Sequence, residues 1–128
     1  SFSDSNDIAA VVSRAAAECD VLYVPTDNTA ANAASTIYNA MSVKKPVIAG
    51  EESICRYCGI ATLTISYYDL GYETGRMAAK ILRGEAKVAD MPIAYAPKFT
   101  KKYNAAICRE LGITVPEGYE VISGTETD

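Results

Sequence analysis

The strongest constraint on this chain is the order in which helical and strand-like hydrophobic patterns alternate. Ile8, Val11, Val12, Ala15 and Ala16 recur at helical spacing within Ser5 to Glu18. Ser3, Asp4 and Ser5 offer capping oxygens before them, and Asp7 suits the first turn. Val21-Leu22-Tyr23-Val24 is a short continuous apolar run closed by Pro25. Such runs suit strands covered on both faces, as in parallel sheets. A second helix is expected from about Thr29 to Met41, with Ala30, Ala33, Ala34, Ile37 and Met41 on one face. Pro46-Val47-Ile48-Ala49 reads as the next strand, and Gly50 to Gly59 as a polar loop. Ala61, Leu63 and Ile65 alternate with Thr62, Thr64 and Ser66, which is strand period. A long helix follows from about Tyr68 to Arg83, with Leu70, Thr74, Met77, Ala78 and Ile81 on one face. Lys80 and Arg83 complement its C-terminal dipole, and Gly84 suits the position after it. Ile93 and Tyr95 mark a further strand after Pro92, and a last helix is expected from about Thr100 to Leu111, with Tyr103, Ala106, Ile107 and Leu111 inward.

This alternation predicts an α/β fold, a mostly parallel sheet with helices on both faces. The length of 128 residues fits one domain or a large part of one. The expected organisation is a single segment over 1–122 and a small, polar, flexible tail over 123–128. A βαβ unit opens on a strand, whereas this chain opens on a helix. That order predicts a missing leading strand, and hence a fragment.

Composition narrows the function classes. The net charge is −4, and Lys101-Lys102 reads as a solvated helix face, so no nucleic acid is expected as a partner. No apolar run approaches the length of a membrane span, and no secretory signal segment is present in the sequence. Histidine is absent, which removes Ser-His-Asp and Cys-His catalysis and His-based metal sites. Cys55-Arg56-Tyr57-Cys58 has the CxxC spacing of redox dithiols and of half a zinc site. The second half is missing, because Cys19 and Cys108 are isolated in sequence and read as buried helix thiols. The CxxC pair is placed in the polar loop, as a local disulfide, two inert thiols, or the centre of a thiol protein. No metal and no cofactor is expected.

In open α/β sheets, ligands bind beyond the carboxyl ends of the strands. Three such ends are legible: Pro25-Thr26-Asp27-Asn28, Gly50-Glu51-Glu52-Ser53 and Ser66-Tyr67-Tyr68-Asp69. If the strands are parallel, Asp27, Glu51 or Glu52, and Asp69 share one rim. Carboxylates gathered on a rim suit a cationic group such as an ammonium. Helix starts at Thr29 and Tyr68 could receive an anion, so a zwitterion such as an amino acid fits, with Tyr67 and Tyr68 as an aromatic wall. The competing structural roles stay open. Asp27, Asn28 and Asp69 are also good helix caps, and Glu51 and Glu52 can simply be solvated.

Three stretches carry a resemblance to a known family: Val24-Pro25-Thr26-Asp27-Asn28-Thr29, Pro46-Val47-Ile48-Ala49-Gly50-Glu51-Glu52, and Tyr67-Tyr68-Asp69-Leu70-Gly71-Tyr72-Glu73-Thr74-Gly75-Arg76 continuing to Glu85. They are similar to the substrate-binding proteins of ABC transporters, the family with tryptophan- and tyrosine-type binding components and the type I periplasmic-binding-protein fold. The resemblance continues through Ala96–Thr100 and Leu111–Pro116. It implies two α/β lobes that close on a ligand by a hinge, with this chain as the carboxyl-terminal part, an incomplete parallel-sheet three-layer lobe. It implies that the 68–84 helix packs on the absent lobe, or on a second copy in a homodimer. The family's cleft residues map to Asp27, Asn28, Thr29, Glu51, Glu52, Ser66, Tyr67 and Asp69, with Asp27 for the ligand ammonium. The implied function is binding without catalysis, of an aromatic or related amino acid. The implied partner is an ABC permease, and the implied location is outside the cytoplasm, periplasmic or lipid-anchored as a lipoprotein. Two alternatives remain: the same fold as the sensing domain of a transcriptional regulator, and a thiol protein using Cys55 and Cys58.

Overall fold

The computed structural model describes residues 4–126. Ser3, expected among the first caps, and the last two residues of the expected tail lie outside them. The chain falls into two compact units, Ser1–Thr64 with Lys101–Asp128, and Ile65–Thr100.

The first unit begins with Asp4, whose carboxylate accepts from the Asn6 N–H, then a short 3-10 turn at Ser5–Asp7 and helix α1 at Ile8–Glu18. Strand β1 is Leu22–Val24, followed by α2 (Asn28–Asn32), α3 (Ala34–Ala40), β2 (Val47–Ala49), α4 (Glu52–Cys58) and β3 (Ala61–Ile65). The second unit holds α5 (Tyr67–Leu82) and a 3-10 turn at Val88–Asp90. The chain then forms β4 (Phe99–Tyr103), α6 (Ala105–Glu110) and β5 (Glu120–Val121).

The strands form one sheet in the order β1-β2-β3-β4-β5. β1 pairs with β2, β2 with β3, and β4 with β5, all in parallel. The Asn104 N–H, just past β4, donates to the Ile60 carbonyl, just before β3, at 3.0 Å. The end of one strand therefore lies beside the start of the other, and β4 runs against β3. The fold is the expected α/β fold, with a mostly parallel sheet that is mixed at this one step.

Helix α3 packs against both α1 and α4, and α4 lies on β2. Ile8, Ala34, Ile37, Met41, Val47, Ala49, Ile54 and Ile122 form the core between them. The sheet shows the two-residue period of side chains that alternate between faces. Val47 and Ala49 are buried while Ile48 between them is 37% exposed, and Thr62 and Thr64 are buried while Leu63 is exposed. Tyr23 is likewise exposed, so β1 is not covered on both faces among the described residues.

Four local readings are corrected. The expected single helix from Thr29 is broken at Ala33, whose N–H is shared between the Thr29 and Ala30 carbonyls at 3.1 and 3.2 Å. No Pro or Gly marks that break. The expected polar loop from Gly50 contains α4. The expected strand at Ile93 and Tyr95 does not form, and both side chains are exposed. The expected helix from Thr100 starts only after β4, at its cap Asn104, whose side chain accepts from the Ile107 N–H at 3.0 Å. Tyr103 accordingly belongs to a strand. Within the segment expected as a tail, Thr125 is hydrogen-bonded. The Thr125 hydroxyl donates to the Ile122 carbonyl at 2.7 Å and accepts from the Ala105 N–H at 3.2 Å.

Thr62 offers a test of the core. It is 2% exposed, and its hydroxyl has no hydrogen-bond partner among the described residues. A buried unpaired hydroxyl is destabilising relative to an apolar group of the same shape. Thr62→Val is therefore expected to raise stability by about 1 kcal/mol in urea denaturation. A comparable loss would show that the hydroxyl is satisfied.

Candidate functional site

β1 and β2 end side by side, with Val24 opposite Ala49. The chain leaves each strand through a short turn that starts a helix. The Gly50 N–H donates to the Val24 carbonyl at 2.8 Å, and the Thr26 hydroxyl donates to the Gly50 carbonyl at 3.1 Å. The two turns touch so closely that a Cβ on residue 50 would lie 2.5 Å from the Thr26 nitrogen and 2.9 Å from the Pro25 carbonyl carbon. Only glycine fits such an approach of backbone to backbone.

Asp27 and Glu51 are the N-caps of α2 and α4, in extended conformations that aim their side chains at the open N–H groups. Asp27 Oδ1 accepts from the Ala30 N–H at 2.8 Å. Its second oxygen makes no further bond among the described residues, and the residue is exposed. Glu51 accepts from the N–H groups of Ile54 at 2.7 Å and Ser53 at 3.0 Å, and from the Ser53 hydroxyl. Both of its oxygens are thus taken by its own turn. Glu52 is paired with Lys102 at 2.6 Å and Arg56 at 3.4 Å. Two cations on one carboxylate leave it little attraction for a third. Asn28 and Thr29 open α2 and are exposed. These five expected residues therefore gather at the carboxyl ends of β1 and β2, but only Asp27 keeps a carboxylate oxygen uncommitted.

A polar brace holds α4 in place under this rim. Asn104 is 2% exposed. Its amide NH2 donates to the carbonyls of Arg56 at 2.8 Å and Cys55 at 3.2 Å, while its oxygen caps α6. Arg56 also donates to the Ser123 carbonyl.

In the second unit, Ser66 is the N-cap of α5, its hydroxyl accepting from the Asp69 N–H at 3.1 Å. The capping role considered for Asp69 belongs to Ser66. Asp69 is half-buried in the first turn of α5, where the helix dipole favours its charge. Tyr67 and Tyr68 are exposed. No residue of α5 is buried.

The cysteines are placed differently from the sequence reading. Cys55 and Cys58 lie on α4, not in a loop, and both are fully buried. All four cysteines are free thiols. Burial pushes the Cys55 and Cys58 thiols up to about 12, and raises Cys108 as well. A thiol raised that far holds its proton at neutral pH, whereas thiol nucleophiles and metal ligands act as thiolates. Among the described residues no group of acidic or cysteine side chains is arranged to hold a metal. No helix among them is long and apolar enough to cross a membrane.

Sequence reasoning placed Thr26, Gly50 and Ser53 at the strand ends without giving them a role, and missed Asn104. A glycine directly after a buried strand, and an Asn directly before Ala-Ala-Ile, are the signals that could have found Gly50 and Asn104.

Comparison with known proteins adds relatives to this geometry. The family described as ABC transporter substrate binding protein matches residues 1–125. A curated tyrosine-binding protein of Clostridioides difficile is 34% identical over 93 residues, which are 72% of this chain and 27% of that protein. A crystal structure of an ABC domain in complex with L-Trp from Streptococcus pneumoniae superposes with a TM-score of 0.82 at 34% identity, over 94% of this chain and 43% of that one. A ligand-free, open substrate-binding protein with adhesive properties from Clostridium difficile gives a TM-score of 0.72 at 35% identity, over 94% of this chain and 42% of that one. The chain thus spans less than half the length of the relatives it matches.

Proposed function

The chain belongs to the ABC transporter substrate binding protein family, and from that membership we propose that it is ligand-capturing machinery of an ABC uptake system, working outside the cytoplasm on an aromatic amino acid and catalysing nothing. The observation that carries the ligand class is the free oxygen of Asp27. It stands at the carboxyl end of a parallel strand, where α/β sheets receive ligands, and it suits an ammonium group. Two of the relatives are described with tyrosine or L-Trp, which supports an aromatic side chain on that ligand.

Asn28 and Thr29 are proposed as polar contacts beside Asp27. Glu51 and Glu52 are proposed to act at the same rim chiefly by shaping it, because their oxygens are already bonded. Ser66, Tyr67 and Asp69 are proposed separately, as contacts presented by the first turn of α5. The exposed side chains of Tyr68, Tyr72 and Leu82 along α5 support a covering partner. We assign that cover to the other lobe of the protein, with a second copy of the chain as the alternative. The permease of the same transporter and a lipid anchor complete the proposal.

Calorimetric titration of the longest reading frame that carries this chain, against each amino acid in turn, tests the ligand class. A saturable heat with L-tryptophan or L-tyrosine is expected. Silence with every amino acid would sink the class while leaving the family intact.

A further inference from the structure

We propose that Thr26 and Gly50 are positioning residues that clasp the turn after β1 to the turn after β2, so that Asp27 and Glu51 are presented as one rigid pair. The inference deepens the ligand reading above and rests on it only for its binding consequence. Three contacts make the clasp. The Gly50 N–H reaches the Val24 carbonyl at 2.8 Å, and the Thr26 hydroxyl reaches the Gly50 carbonyl at 3.1 Å. Residue 50 also approaches the Pro25–Thr26 backbone so closely that a Cβ would lie 2.5 Å from the Thr26 nitrogen. That atom is backbone and cannot rotate away, so any other residue would push the two turns apart.

The place of the clasp in the chain gives it consequence. Asp27 directly follows Thr26, and Glu51 directly follows Gly50. Each of these acids is the N-cap of its helix, bonded to Ala30 and Ile54 respectively. Each side of the clasp is therefore one peptide unit from one cap, and the Thr26–Gly50 hydrogen bond links it to the other. Short surface turns normally open locally and independently. Joining two of them makes their opening a single event. A carboxylate held ready in this way loses less freedom when a ligand arrives, and the ligand gains the difference in affinity.

The test reads two amides on opposite sides of the clasp. Thr26→Val removes the donor hydroxyl and keeps the shape. It is expected to speed hydrogen exchange at both the Ala30 and the Ile54 N–H by about tenfold, with the thermal midpoint unmoved. Thr26→Ser keeps the donor and is expected to restore both amides. Gly50→Ala should give the same paired change, larger. If Gly50→Ala fails to fold, the two Thr26 variants decide the matter. A Thr26→Val protein in which only Ala30 responds, or neither amide does, overturns the clasp. Titration with L-tryptophan and L-tyrosine provides the binding arm: where the parent protein binds, Thr26→Val should raise Kd about tenfold. An unchanged Kd overturns the positioning role. A parent protein that binds neither amino acid removes the ligand reading, and the two amides then judge the clasp alone.

Discussion

Asp27→Asn is expected to weaken binding of the amino acid by about 30-fold, roughly 2 kcal/mol, while leaving the stability of the protein unchanged. The substitution separates the capping role of the side chain from its proposed contact with the ligand ammonium. Asn retains an oxygen where Asp27 Oδ1 receives the Ala30 N–H, and Asn is as good an N-cap as Asp. What it removes is the negative charge on the second oxygen, the one that takes no bond among the described residues. A hydrogen bond to a charged partner contributes more than a neutral one, so the change is read in Kd and not in folding. Asp27→Ala removes both roles and should lose the same affinity together with about 1 kcal/mol of stability. Calorimetry and thermal unfolding of the two variants side by side give the answer. Parent-like affinity in Asp27→Asn would show that the ammonium sits elsewhere, and parent-like affinity with lost stability in Asp27→Ala would show that capping is the whole role.

Asn104→Leu is expected to destabilise the protein by about 3 kcal/mol in urea denaturation. Leu has similar bulk and no polar atoms. It would leave the Cys55 and Arg56 carbonyls and the Ile107 N–H without their present partner. The site is nearly closed to water, since Asn104 is 2% exposed, so solvent does not replace the lost bonds. Asn104→Asp should recover the cap of α6 but not the brace, because a carboxylate accepts where the two carbonyls require a donor. A loss below about 1 kcal/mol in Asn104→Leu would mean that the brace relaxes or is hydrated. The prediction bears on the rim as well. Asn104 holds the C-terminal turn of α4, and the N-terminal turn of the same helix carries Glu51 and Glu52.

Much of the fold was legible from periodicity, and the misreadings have physical causes. Ile8, Val11 and Val12 announced α1, and Val47–Ala49 announced β2, because core-facing side chains repeat at the spacing of the element that carries them. α4 was read as loop because it is short and capped by Glu51, a residue type that the usual N-cap preferences do not favour. β4 was read as helix because Lys101-Lys102 interrupts its alternation. Its identity comes from pairing with β5, where Lys102 lies opposite Glu120. Ile93 and Tyr95 have the composition of a strand, yet a strand requires a ladder partner, and none is present for them among the described residues.

The candidate site divides in the same way. All of its expected residues could be placed at strand ends and helix starts from the sequence, because those positions follow from the order of elements. Their chemical availability could not. Glu52 is ion-paired only when β4 brings Lys102 beside it, the Glu51 oxygens are engaged only when α4 forms and turns its N–H groups toward them, and the Cys55 and Cys58 thiols are pushed up only when α4 is buried.

The residues alone thus determined an α/β chain of alternating elements, the positions of its rim residues, and their resemblance to the substrate-binding family. Those properties are local in sequence: periodicity, caps and ordered motifs. Only the tertiary structure decided which carboxylate remains free, which thiols are buried, and that Thr26 and Gly50 meet. Hydrogen bonds, ion pairs and burial between residues far apart in the chain arise from folding, and no spacing along the sequence encodes them.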